Sequence, residues 1–164
     1  MSELPPLNKR IAEFLAVHHV VTLATSEGGA VHAASLMYAP DGLSLIWMSD
    51  PKSRHSQELE RNPRVAATVA PDYTDFAAIR GLQIAGTAAR LTAARDILHG
   101  TALMLERYDF LRALAAGPES LRKAFNRSGF YRLLPETITL IDNTVNFGHK
   151  ETLIISAARG SNPE

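Results

Sequence analysis

The stretch Trp47-Met48-Ser49-Asp50-Pro51-Lys52-Ser53-Arg54-His55-Ser56-Gln57-Glu58-Leu59-Glu60-Arg61-Asn62 decides how the rest of the chain is read. It opens with strand-like apolar residues, breaks at Asp50-Pro51, and continues with helix formers up to Asn62-Pro63. Asp50 is the candidate N-cap and Pro51 the first helical residue, where a missing N–H costs nothing. The residue before a proline is pushed out of the helical region, so Asn62 ends the helix, expected over 51–61. A strand that turns directly into a helix presents free N–H groups and the positive end of the helix dipole, which together suit a phosphate. Ser49, Lys52, Ser53, Arg54 and His55 crowd this point. Arginine offers a planar fork, lysine a point charge and serine neutral donors. Cations are ordinarily unfavourable in a first helical turn. Three potential cations beside Asp50 make sense if an anion lies among them. A solvated helix start with incidental basic residues is the plainer alternative.

Outward from this stretch the chain reads as strands. His19 to Thr25, Val31 to Ala39 and Leu43 to Ser49 are separated by Ser26-Glu27-Gly28-Gly29 and Pro40-Asp41-Gly42. Glycine supplies the positive φ of tight turns, so these strands form an antiparallel meander. Leu7, Ile11, Phe14, Leu15 and His18 fall at helical spacing and predict a leading helix over 7–17. Arg64 to Ala70 and Leu82 to Leu91 are further strands, and Gly86 in the second signals a bulge or a close approach. A helix is expected from Thr92 to Tyr108, and another opens at Gly117-Pro118 and runs to Phe125. Gly129 to Leu134 and Thr137 to Asp142 read as two strands hinged at Pro135, with a last short strand over Glu151 to Ser156 and a frayed tail over 157–164. The first strands lack the long crossovers of a parallel sheet. The expected architecture is mainly β, an antiparallel barrel with added helices, in a single domain spanning 1–164.

Composition narrows the function. With 46% apolar and 21% charged residues the chain can bury an ordinary core. Lys plus Arg and Asp plus Glu are 17 each, so there is no basic excess for a nucleic-acid partner. There is no cysteine, which excludes disulfides, thiolate metal sites and thiol nucleophiles. No apolar run reaches the length of about 18 residues needed to span a membrane, and the polar start lacks a signal-peptide core. No nucleic acid, no membrane and a cytoplasmic location are the expectation.

Ser53-Arg54-His55, then Leu59 and Asn62-Pro63-Arg64-Val65, placed after a third strand, resemble the pyridoxamine 5'-phosphate oxidase-like flavin-binding split-barrel family. His55 stands where many members have lysine. The order of elements agrees over about residues 7–91, and more loosely over 129–153. Tyr73-x-Asp75-Phe76, Arg80 to Ala88, Asp142-Asn143 and Asn146 to Lys150 look like an uncharacterised branch of that family. The resemblance implies a six-stranded antiparallel split β-barrel of Greek-key type, with residues 92–128 as a helical insertion. It also implies a homodimer with FMN between subunits. Lys52, Ser53, Arg54 and His55 would hold the phosphate, and Met48 and Ser49 would lie near the ring or ribityl chain. His32, Ala33, Ala34, Ser35 and Leu36 would offer backbone groups to the ring edge. Gln83 would reach the flavin from the other subunit, and Phe147, Gly148 and His149 would cover the ring. Core packing for the alanines, an outward side chain for Gln83 and ordinary loop packing for Phe147 are the alternatives. The basic and aromatic C-terminal segment that binds pyridoxal phosphate in the oxidase itself is not found, so the substrate is a small molecule of unknown kind.

Other residues carry less. His18-His19 with His32 suggest metal or haem, but adjacent histidines on a strand point to opposite faces, so only one could serve a given site and structural or surface roles are expected. Glu58, Glu60 and Arg61 read as a solvated helix face. Tyr38 and Trp47 read as core or interface aromatics, and Trp47, Leu36 and Met37 as the wall of an apolar cleft covered by dimerisation. The expected function is a flavin oxidoreductase with no catalytic side chain identified. A flavin- or haem-binding carrier without efficient turnover, or a deazaflavin coenzyme in place of FMN, are the alternatives.

Overall fold

The computed structural model describes residues 4–155. Ser156 and the tail 157–164 lie outside the described residues. Helix α1 (Leu7–Val17) leads into β1 (Val20–Glu27), β2 (Ala30–Asp41) and β3 (Ser44–Ser49). Helix α2 (Arg54–Arg61), β4 (Arg64–Val69) and β5 (Arg80–Arg90) follow. Then come α3 (Ala94–Arg107), α4 (Asp109–Ala116), α5 (Glu119–Arg127), β6 (Gly129–Asp142) and β7 (Lys150–Ile154). Gly28, Gly29 and Gly42 have positive φ, as the two hairpin turns require.

The strands run in the order β3-β2-β1-β4-β5-β6-β7, and β3 also pairs with β6. Six strands therefore close a ring, and β7 adds to the far half of β6. The β3–α2–β4 connection returns the chain beside β1, which gives the Greek-key order β4-β1-β2-β3. The interior is filled by alternate residues such as Val21, Leu23, Leu45, Trp47, Leu82, Ile84, Tyr131 and Ile138, with Ile11, Phe14 and Leu15 of α1 packed among them. A second cluster, with Ile46, Met104, Tyr108, Leu111 and Phe130, joins the insertion to the outside of β2, β3 and β6.

Several expectations are corrected. Asp50 and Pro51 do not start the helix. Asp50 Oδ1 accepts from the Lys52 N–H at 2.8 Å, and Ser53 stands in the N-cap position of a helix that begins at Arg54. The two strands hinged at Pro135 are one 14-residue strand, and its register against β5 shifts where Ala85 pairs with Thr137 and Gly86 with Pro135, leaving Glu136 as the extra residue on β6. Helix α4 had no expected counterpart. Ala94, Ile97, Leu98, Thr101 and Leu105 fall at helical spacing as the expected apolar face of α3, yet Leu98 is 71% exposed. Trp47 is fully buried, so it is core and walls no cleft.

The insertion is fastened to α1 by one side chain. Arg107 Nη1 donates to Ala16 O at 3.0 Å, and Nη2 donates to the carbonyls of Leu15 and His18. Its guanidinium lies over the rings of Tyr38 and Tyr108. These carbonyls belong to the end of a helix, where intrahelical partners run out. Arg107→Ala is expected to lower stability by about 2 kcal/mol, seen as a lower urea midpoint at unchanged slope.

Candidate functional site

Strand alternation sends Leu45, Trp47 and Ser49 to the inner face of β3, so Ser49 ends the strand pointing at the start of α2. There His55 Nε2 lies 2.7 Å from Ser49 Oγ and 3.0 Å from Ser53 Oγ. Ser53 Oγ donates to Ser56 Oγ at 2.8 Å. The His32 ring of β2 lies parallel to that of His55, with centroids 6.4 Å apart. Burial first, and His32 second, push His55 below the ordinary imidazole value, while Glu58 acts the other way. The cluster is a knot of hydroxyls and a neutral imidazole beside the free N–H groups of a helix start.

Arg54 and Glu58 form the layer behind it. Glu58 is no solvated residue: it is buried, accepts from Thr25 Oγ1 and from Arg54 Nε, and these bonds hold its carboxyl below the usual carboxylate range. The Arg54 side chain, bonded to Glu58 through Nε, stays 55% accessible. Lys52 is exposed in the turn and shares a shallow groove with Asp50, Pro51 and Arg127. Met48 faces away from Ser49 and packs with the second cluster.

Beside the knot runs an unpaired strand edge. Residues 30–37 of β2 pair with β1, but β3 pairs only with Tyr38 to Asp41. From Val31 to Met37 the other edge of β2 carries no strand among the described residues. Alternate residues between His32 and Leu36 therefore turn their backbone donors and acceptors toward this open edge, where a ligand could take them. On the outer face, sheet register aligns Ser35, Thr22, Thr68, Gln83, Thr139 and Thr152 in one row and Ala33, Ala24, Ala66 and Ala85 in the next. This face is flat, small and mostly exposed.

The remaining expected residues form a separate group. Gln83 is exposed and lines a cavity of about 350 Å³ with Thr68, Tyr73, Ile79, Gly81 and Ile141. Phe147 is 82% exposed and stacks on Phe76 with centroids 5.0 Å apart. The loop that presents it is held by hydrogen bonds of one side chain, Asn143. Asn143 Nδ2 donates to Phe76 O, and Asn143 Oδ1 accepts from Gly148 N, where φ is +72°. His149 Nε2 lies 2.7 Å from Glu151 Oε1, which also accepts from Arg10. Ser35 and Gln83 are three strand steps apart, roughly 14 Å. The two groups do not meet within one chain. Sequence reasoning missed Thr25, Ser56 and Ile79, because nothing local distinguishes them; Glu58 showed only the Arg54 spacing of i, i+4.

Known proteins place this geometry. Residues 7–128 match the family described as pyridoxamine 5'-phosphate oxidase. A UPF0306 protein of Photorhabdus laumondii is 30% identical over 142 residues, covering 85% of this chain and 90% of its own length. A haem-binding protein of Mycobacterium smegmatis superposes with a TM-score of 0.72 at 17% identity, over 93% of this chain and 60% of that protein. An FAD-binding protein of Mesorhizobium loti superposes at 0.62 with 20% identity, over 82% of this chain and 92% of that one. With a ring of six antiparallel strands, a helical knot at the end of β3 and this match over most of its length, the chain belongs to the pyridoxamine 5'-phosphate oxidase family.

Proposed function

We propose that the protein is an FMN-binding oxidoreductase, working as a homodimer on a small-molecule substrate. The observation that carries this reading is the juxtaposition of the Ser49–Ser53–His55 knot with the unpaired edge of β2, joined through the His32–His55 stack. A phosphate end and a flat ring edge are the two things these features suit. Ser49, Ser53, His55 and Arg54 would hold the phosphate. The free N–H and C=O groups between His32 and Leu36 would orient the ring edge and favour added negative charge on it. FMN, when bound, supplies the hydride chemistry. Because Gln83 lies three strand steps away along the same sheet and Phe147 sits in the β6–β7 loop, they would cover the ring from a second copy. The flat outer face of threonines and alanines is the surface on which two copies would meet.

An absorbance spectrum before and after adding FMN, with light scattering on the same sample, tests this. Flavin bands that shift on binding, in a particle of twice the chain mass, support it. A haem Soret band with no flavin uptake would favour the carrier reading instead. Arg54→Ala is expected to weaken FMN by about 1–3 kcal/mol, read by fluorescence quenching. An unchanged affinity would remove Arg54 from the phosphate site.

A further inference from the structure

Within the proposed phosphate site, His55 is the one cationic candidate whose charge is optional near neutral pH. Lys52 and Arg54 are charged throughout. His55 is only 8% exposed, and its Nε2 sits between two hydroxyls. Ser53 gives its proton to Ser56, so toward His55 it presents lone pairs. The ring can thus donate Nε2–H to Ser53 or accept from Ser49 while neutral. An added proton would leave a buried imidazolium with no carboxylate hydrogen-bonded to it. The groups that face it explain why it stays off. From β2 comes His32, ring to ring. From its own helix comes Glu58, but that carboxylate is already engaged by Thr25 of β1 and by Arg54. From β3 comes only the neutral Ser49. From the turn come Asp50, bonded to the Lys52 N–H, and the exposed Lys52. At the end of β5, Arg90 reaches Gly129, the strand partner of Ser49, and adds positive charge on that side.

A phosphate dianion changes this balance. It supplies beside the imidazole the negative charge that the protein withholds. We propose that His55 is the proton-accepting ligand of this site, resting neutral and binding the phosphate of the cofactor as imidazolium, so that cofactor binding takes up one proton from solvent. This rests on the flavin-phosphate reading above. The balance is simple: one proton moves from water to His55, no covalent bond is made or broken, and the reverse accompanies release. The direction of the pH effect follows. A group whose pKa is higher in the complex favours binding below its free value, and the advantage is lost as pH rises through the bound value. A phosphate monoester is itself a dianion above about pH 6, so from about pH 7 upward its own titration does not oppose the trend. A lysine at this position would give constant charge; histidine makes retention of the cofactor a function of pH.

The test is calorimetric titration of the whole protein with FMN at pH 7.5, in buffers of different ionisation enthalpy, with riboflavin and inorganic phosphate as further probes. The expected result is uptake of between half a proton and one proton with FMN, none with riboflavin, and an FMN Kd about five-fold or more weaker at pH 8.5 than at pH 7. His55→Lys should bind FMN with no proton uptake and a flat profile over that range. His55→Gln should bind weakly and also flatly. Tight FMN binding with no proton uptake, or a slope that survives in His55→Lys, would overturn the proposal and leave the flavin reading intact. If FMN does not bind but inorganic phosphate binds with proton uptake lost in His55→Lys, the flavin reading falls and the proton-accepting site stands. If neither binds, both fall.

Discussion

Gly86→Ala is expected to destabilise the barrel by about 3 kcal/mol or more, measured as a fall in the urea midpoint. At most strand positions this change would be neutral or helpful. Alanine lowers the entropy of the unfolded chain by roughly 0.4–1 kcal/mol where its backbone fits. Here a Cβ would lie 2.2 Å from the carbonyl oxygen of Leu134 and 2.9 Å from the Cα of Pro135. Both are backbone atoms and cannot turn aside. The register of β5 against β6 shifts at this point, so the strands close on one another where Pro135 has no N–H to give. To admit the methyl group, the longest strand pairing in the ring must open. The steric term outweighs the entropy term several-fold, so even the sign of the result is informative. A stability gain would show that the two strands do not approach as described.

Ala66→Arg is expected to abolish dimerisation and to weaken FMN binding by more than about 100-fold, while leaving the fold of each chain in place. Ala66 is exposed in the middle of the alanine row, with Ala24 on one side and Ala85 on the other. In a single chain an arginine there reaches water, and surface changes of that kind shift stability by about 0.5 kcal/mol or less. Between two copies it would be an unpaired buried charge, a cost of about 3–5 kcal/mol. Light scattering, flavin titration and urea unfolding on the same variant separate the outcomes. Monomers that still bind FMN at full strength would show that the second copy contributes nothing to the site. A dimer unaffected by the arginine would show that two copies meet through another face.

Much of this protein is legible in its sequence because the relevant signals are local. Gly28, Gly29 and Gly42 mark the two turns since positive φ is a property of single residues, and the structure gives each of them that value. Alternation along β1 and β4 assigns Val21, Leu23, Val65 and Val69 to the interior without reference to any neighbour. The crowd of Ser49, Ser53 and His55 is visible because all three lie within seven residues. What only the tertiary structure decided depends on distant partners. Whether Pro135 breaks a strand is settled by Gly86, nearly 50 residues earlier, which yields the space for a continuous β6. Glu58 looks like a surface residue until Thr25 and Arg54 close around it. Met48 and Trp47 differ by one position, yet one meets the insertion and the other the barrel interior, because the sheet is covered on both faces at β3. The free edge of β2 is the clearest case. Nothing in His32 to Leu36 says that β3 will pair only beyond them, since an unpaired edge is defined by where another strand stops. Residue type fixes conformation and face one position at a time, whereas register and closure arise only when the whole ring is assembled.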